Sequence, residues 1–312
     1  MRILVTGASG GLGSYLLEHL VSQGFQPIAW SGKTSGVSAG LALRPIDLTK
    51  PIEMEMALDA ADPDMIVHLA AISSAAEVFH DPSRAQAINV LATQKLANWC
   101  DTHRRRLVFT STDLVFSGEK SWCSEEDPAE PVMMYGRTKK VAEDFVLSMK
   151  NGLVARMPLL FGPSKCGKPS FLDLAIADLR AARPRSFFED EYRTPLDYRT
   201  ASVLITKLLL SNETGIVHVA GAERMSRYEM MRRIAMTLGL RASLVQPNKQ
   251  ADAPGQESRP ADVSLSTAKL SAILPGLERP SLEEVVTNDI PERLTEFVVK
   301  ALSGQGFGGS ET

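Results

Sequence analysis

The chain has 312 residues, 44% of them hydrophobic and 23% charged, and a formal net charge of −3; this ordinary globular balance excludes a bulk basic surface for nucleic acid. No run of about 20 apolar residues is present to span a membrane, and the N-terminal apolar run is too short for a signal peptide, so a cytoplasmic protein is expected. Cys100, Cys123 and Cys166 are odd in number and lack Cys-x-x-Cys spacing, which points to reduced thiols rather than a disulfide framework or a zinc site.

The first element, "RILVTGA", reads as a strand and runs directly into Gly7, Gly10 and Gly13, a G-x-x-G-x-x-G at the opening of a helical pattern from Leu12 to Ser22. Such glycines permit a tight turn and close backbone approach, and the helix start offers free N–H groups to a pyrophosphate; Gly11 and Leu12 share that turn. The second strand, "QPIAWS", ends without the acid that would bind the ribose 2′-hydroxyl of NAD. Ser31 and Lys33 stand there instead, which favours NADP and leaves NAD open. Next, "LRPIDL" reads as a strand ending at Asp47 and Leu48, where Asp47 either meets the adenine amino group or caps a helix. In the strand "MIVHLAA", His68 is expected to be packed and hydrogen-bonded rather than a metal ligand, and Leu69, Ala70 and Ala71 follow on the cofactor side.

A helix is expected over Pro82 to Cys100, with Arg104, Arg105 and Arg106 as its solvated basic end. The strand "RLVFTST" carries Thr112 to its C-terminal end; a helix from Tyr135 to Met149 and the strand "GLVARMPLL" complete the alternation. Short continuous apolar runs alternating with helices imply a doubly wound parallel sheet, an α/β Rossmann-like fold. Residues 1–158 are expected to form this dinucleotide-binding domain, 159–300 mainly a smaller substrate lobe with some segments returning to the sheet, and 301–312 a mobile tail. Within the lobe, "GIVHVAG" and "RYEMMRRIAMTLGL" read as a strand and a helix, Met225, Met230, Met231 and Met236 as core packing, and "NKQADAPGQESRP" as a loop. In a parallel sheet the C-terminal strand ends converge on one crevice, so Thr112 and the helix start at Tyr135 can meet there.

The Tyr135–Lys139 spacing is weak evidence by itself. Together with "TGASGGLG", "PDMIVHLAA", "FTSTDLVFSG", "YGRTK" and "SRPADVSLSTAKL", it makes the chain resemble an extended short-chain dehydrogenase/reductase over residues 1 to about 300. "STDLVFSG" followed by "YGRTK" is most similar to the dTDP-4-dehydrorhamnose reductases. The resemblance implies a catalytic set of Thr112, Tyr135 and Lys139: Tyr135 gives a proton to a carbonyl oxygen, its pKa lowered by the Lys139 ammonium, and Thr112 donates to the developing alkoxide. It implies a small-molecule substrate, a nucleotide-linked 4-keto-6-deoxysugar, and is compatible with a homodimer. Arg259 and Arg193 are candidates to meet its diphosphate, and Ser74, Asp113 and Leu159 to line the pocket; capping, turn or solvated-loop roles remain open for these residues. Dehydratases of the superfamily place two acids after the threonine, whereas here Asp113 is followed by Leu114, which favours simple reduction. Leu159 stands where the rhamnose-pathway reductases usually show tryptophan and epimerases often asparagine. The alternatives are a sugar-nucleotide epimerase or other carbonyl reductase, and a non-catalytic NADP-binding regulator, since the relatives include a regulatory subunit of methionine adenosyltransferase.

Overall fold

The computed structural model describes residues 1–253 and 257–290; the expected mobile tail at 301–312 lies outside the described residues. Seven strands belong to the first half of the chain: β1 Ile3–Thr6, β2 Ile28–Ser31, β3 Gly36–Ser38, β4 Leu41–Pro45, β5 Met65–His68, β6 Arg106–Thr112 and β7 Gly152–Met157. Among the described residues, seven short ones follow: β8 Leu160–Phe161, β9 Arg185–Phe188, β10 Tyr192–Arg193, β11 Leu196–Asp197, β12 Gly215–His218, β13 Met225–Ser226 and β14 Val245–Asn248. The main sheet has the order β12-β7-β6-β5-β1-β2-β4-β3, parallel throughout except for the antiparallel edge strand β3.

Helices α1 Gly11–Ser22, α2 Pro51–Ala61, α3 Ala75–His80, α4 Pro82–Ala85, α5 Ala92–Thr102, α6 Met134–Leu147, α7 Phe171–Arg180, α8 Tyr198–Leu210, α9 Arg227–Thr237 and α10 Ala268–Ile273 complete the described elements, with residues 282–290 also helical. Side chains alternate across a strand, and β1 shows the consequence. Ile3 and Val5 pack with Leu16, Leu17 and Leu20 of α1 and Leu204 and Leu208 of α8, whereas Leu4 packs with Met54 and Leu58 of α2, Leu96 of α5 and Val146 of α6. Both faces are covered, which is why the strands read as unbroken apolar runs. Each such buried aliphatic side chain stabilises by about 1.5–3 kcal/mol.

A separate core joins Leu172 and Ile176 of α7, Met230, Met231 and Ile234 of α9, Val245 of β14, and Val286 and Ile290. The chain reaches it in pieces. After β7, Pro158 lacks the N–H that would continue the ladder, so Leu160–Phe161 pair with Leu196–Asp197 in a small sheet of their own. The chain returns through α8 and β12 to the main sheet, then leaves again through α9 and β14.

Several local expectations need correction. The hairpin β3–β4 turns on Ala39 and Gly40, both at positive φ; an Ala-Gly pair lacks the Asn-Gly signal that marks such a turn. The sequence pattern also leaves α2 unmarked, because Ile52 and Met56 are apolar yet exposed and blur the periodicity of buried Met54 and Leu58. The helix expected over Pro82 to Cys100 is present and runs without a break to Thr102; what the sequence did not mark is the π-helical turn at Gln86–Leu91 between α4 and α5. Arg105 pairs with Asp62 at 2.7 Å and Asp64 at 3.2 Å, and Arg106 donates to the Leu208 and Glu213 carbonyls. These two arginines are therefore engaged rather than solvated, and Arg106 serves the C-terminal end of α8. Met225 lies in β13 rather than the helix, and Met236 is 60% exposed, so it does not share the core packing of the other three methionines. No helix of the described residues is long and apolar enough to cross a membrane.

Candidate active site

The C-terminal ends of β1, β5 and β6 open on one side of the sheet, where parallel strands leave a crevice. Gly7 has φ +67°, and a Cβ there would stand 2.7 Å from the Ala70 nitrogen; a Cβ on Gly13 would stand 2.3 Å from the Gly7 carbonyl oxygen. These two glycines let the turn, the loop after β5 and α1 close on one another. Gly10 has a different role. A Cβ there would meet only the Gly7 oxygen, at 3.2 Å, so the backbone faces open space at the N-cap of α1. That cap makes no side-chain hydrogen bond, and no acid occupies the first turn. A helix start with free donors and no competing carboxylate fits a pyrophosphate. Gly11 packs under the Tyr198 ring, and Leu12 lies against the core.

At the adenosine end, the buried Ser31 hydroxyl donates to the Thr34 carbonyl, while Lys33 is exposed. Asp47 accepts from the Thr49 N–H at 3.0 Å and hydroxyl at 2.7 Å. These bonds hold its carboxyl below the usual range, with smaller help from Lys50 and Lys33. Asp47 thus closes the turn before α2, whose N-cap is Lys50, and Leu48 packs on the core under that turn.

His68 is fully buried between Thr6, at 2.6 Å from Nδ1, and Thr93, at 3.0 Å from Nε2. Burial first, then nearby Lys139, lower its pKa to about 3. It is a neutral, hydrogen-bonded strut. The Thr6 hydroxyl also accepts from the Ala70 N–H at 3.2 Å, which fixes the Leu69–Ala71 segment over Gly7.

The chemical end is built around α6. Gly136 allows it: a Cβ there would stand 2.1 Å from the Leu114 carbonyl, so only glycine brings the Tyr135 turn against the end of β6. Asn89, buried in the π-helical turn, accepts from the Ile72 N–H at 2.8 Å and donates to the Ile72 carbonyl and the Thr138 hydroxyl, each at 3.1 Å. π-turns recur at functional sites, and this one ties the loop after β5 to the helix carrying Tyr135 and Lys139. The Thr112 hydroxyl donates to Asp113 at 3.1 Å and accepts from the Leu114 N–H at 3.2 Å.

Tyr135 and Lys139 are both buried, at 9% and 2% exposure. The Lys139 ammonium lies 4.0 Å from the centre of the Phe109 ring. Burial lowers its pKa to about 7, opposed by Glu143. Burial raises the Tyr135 phenol, Asp113 adds to the rise, and Arg193 opposes it. The expected lowering of the phenol by Lys139 does not prevail: desolvation dominates, and the anionic Asp113 adds to the rise.

Opposite Tyr135, Arg193 of β10 donates from Nη1 to both Asp113 oxygens, at 2.7 and 2.8 Å, and from Nη2 to Glu191 at 3.0 Å. Arg259 reaches the other Glu191 oxygen at 3.3 Å. Burial pushes the Asp113 carboxyl up against the pull of Arg193. Arg227, at the start of α9, lies over the Phe171 ring in the neighbourhood of Glu191; burial, then Arg193, Arg259 and Arg185, hold its pKa down despite Glu191. Two guanidinium groups, those of Arg193 and Arg259, thus pair with Glu191, and Arg227 adds a third positive charge to its surroundings; sequence reasoning passed over Glu191. Gly136, Asn89 and Arg227 were passed over too; for Gly136 the signal was its place between Tyr135 and Lys139. Arg259 comes into reach because Gly118, at φ +92°, accepts the backbone of Pro260 and Ala261 against it. Ser74 caps α3 by accepting from the Glu77 N–H at 3.2 Å, and Leu159 packs on the second core.

The chain belongs to the RmlD substrate binding domain family, which it matches over residues 1–292. It is 27% identical over 288 residues to the probable low-salt glycan biosynthesis reductase Agl14 of Haloferax volcanii, covering 91% of this chain and 95% of that one. It is 28% identical over 287 residues to methionine adenosyltransferase 2 subunit beta of Pongo abelii, covering 89% and 84%. The crystal structure of dTDP-4-dehydrorhamnose reductase from Bacillus anthracis in complex with NADP shares the fold, with a TM-score of 0.78 at 22% identity over 92% of this chain and 97% of that one. The Rossmann-like extended short-chain dehydrogenase/reductase fold expected from the sequence is the one this chain has.

Proposed function

We propose that the protein is a cytoplasmic, NADPH-dependent reductase of a nucleotide-linked 4-keto-6-deoxysugar. The observation that carries this reading is the packing of the Tyr135 turn, through Gly136, onto the Thr112–Leu114 turn, on the same side of the sheet as the open helix start at Gly10. A reductase among the relatives and the family match support it. The free α1 N-terminus suits the pyrophosphate, and exposed Lys33, with no acid in the β2 end itself, suits a 2′-phosphate. When bound, the reduced cofactor supplies a hydride. Tyr135 would give its proton to the carbonyl oxygen, a transfer that its high pKa in the free protein holds ready in the acid form. Lys139 would stabilise the resulting phenolate, and Thr112 would turn its hydroxyl from Asp113 to the alkoxide. The arginines around Glu191 suit a diphosphate, which could exchange for the carboxylate as their partner.

The test is NADPH consumption, compared with NADH, on dTDP-4-keto-6-deoxyglucose and a panel of carbonyl compounds. Tyr135→Phe is expected to lose on the order of 10²–10⁴-fold in kcat with NADPH affinity nearly unchanged; retention of most of the rate would remove Tyr135 from the mechanism. The match to a methionine adenosyltransferase subunit favours a second reading, a cofactor-binding regulator. Tight NADPH binding with no oxidation across the panel would favour it.

A further inference from the structure

Behind the catalytic face, α6 and the sheet enclose a second charged group. Glu143 lies one turn beyond Lys139 and is fully buried. Arg156 of β7 holds it in a two-pronged pair, Nε to Oε1 at 3.0 Å and Nη2 to Oε2 at 2.8 Å. Arg156 itself lies over Phe116 and beside His218, its registered partner on β12. The remaining Arg156 nitrogen, Nη1, and His218 Nε2 are buried without a hydrogen-bond partner, so the pair has been taken fully out of water.

We propose that Glu143, locked in place by Arg156, is an electrostatic positioning residue that acts through Lys139, keeping the buried lysine cationic. This deepens the reductase reading and rests on it for its meaning. A buried pair is an expensive way to hold two elements together, since apolar residues of similar volume often do as well or better; its location one turn from a buried lysine gives it a use. Among the described residues, the charges around Lys139 are few. On its own helix stand Tyr135, neutral at pH 7, and Glu143; from β5 comes His68, also neutral; after β6, Asp113 faces Tyr135 and is occupied by Arg193; from β7 comes Arg156, behind Glu143. Phe109 offers the ammonium only a ring face. Glu143 is thus the anion on which the charge of Lys139 depends, and Arg156 keeps that carboxylate aimed.

The experiment follows Lys139 directly by NMR titration of ¹³Cε-lysine-labelled protein without cofactor, its signal assigned by its loss in Lys139→Arg. Glu143→Gln is expected to move the Lys139 midpoint down by at least about one pH unit, whereas Glu143→Asp keeps it near wild type. Under turnover, the high-pH limb of the rate profile moves the same way in Glu143→Gln. Should the single variant fold poorly with Arg156 unpaired, Glu143→Gln/Arg156→Gln retains a hydrogen-bonding amide pair and is expected to show the lowered midpoint. An unchanged Lys139 midpoint in the soluble glutamine variants would overturn the proposal, even if their rates fell. A lowered midpoint in a protein with no reductase activity would leave the electrostatic role standing and remove the reductase reading instead.

Discussion

The nucleotide end and the substrate end of the crevice are held in opposite ways. At the nucleotide end, seven consecutive residues from Gly7 to Gly13 make the turn by backbone alone, and what matters is the absence of side chains. At the substrate end, Asp113, the Glu191–Arg193 segment and Arg259 come from three separate parts of the chain and are joined by directed charge pairs; Arg193 and Asp113 are 80 positions apart. A backbone device is local and tolerates no added atoms. An ionic device is assembled by the whole fold and tolerates no missing partner.

The largest effect separating the two should come from Arg193→Ala. It leaves Asp113 and Glu191 buried without their main partner, so a loss of about 3–5 kcal/mol is expected, read as a lower urea midpoint. A loss under about 1 kcal/mol would mean that the cluster is not held by these pairs. Gly13→Ala comes next. Its Cβ falls on backbone atoms that cannot yield cheaply, so roughly 1–3 kcal/mol of stability is expected to go, with NADPH affinity, read by fluorescence titration, falling at least as much. An alanine variant that binds NADPH normally would break the distinction, because the turn would then tolerate a side chain.

Close to neutral pH, the smallest effect is a pH dependence shared by both ends. His68 under the nucleotide turn and His218 behind Arg156 are buried, with pKa values lowered to about 3 and about 4. Unfolded, each takes up a proton near pH 6.5 while the folded form stays neutral. Stability should therefore fall as pH drops below 6.5, by up to about 1.4 kcal/mol per pH unit for each histidine, until the folded values are reached. His218→Gln should halve the histidine share of the slope between pH 5 and 6.5 in Tm measurements; an unchanged slope would show that His218 is protonated when folded.

The same contrast explains what the sequence could show. The sheet, α1, α6 and the glycine turn are written in contiguous residues, through periodicity and spacing, and were legible. So was the packed, hydrogen-bonded character of His68 in an apolar strand. The hairpin at Ala39–Gly40 and helix α2 were not, because positive φ at alanine and exposed Ile52 and Met56 are set by neighbours rather than local preference. Arg193 and Arg259 could be suggested only by resemblance, and Glu191 and Arg227, which complete their cluster, had no local mark at all. The electrostatics of Tyr135 and Lys139 were least legible: spacing places the ammonium one turn from the phenol, but only burial decides that desolvation outweighs it.

The path of the chain between its two cores has a mechanical result. It crosses from sheet to lobe after β7, returns with α8 and β12, leaves with α9 and β14, and comes back with α10 before residues 282–290 rejoin the lobe. Two bodies laced together by several threads cannot swing on a single joint, and neither can be excised by one cut. Any opening of the cleft must flex all those threads in concert, so a protease nick in one of them should leave the two halves associated.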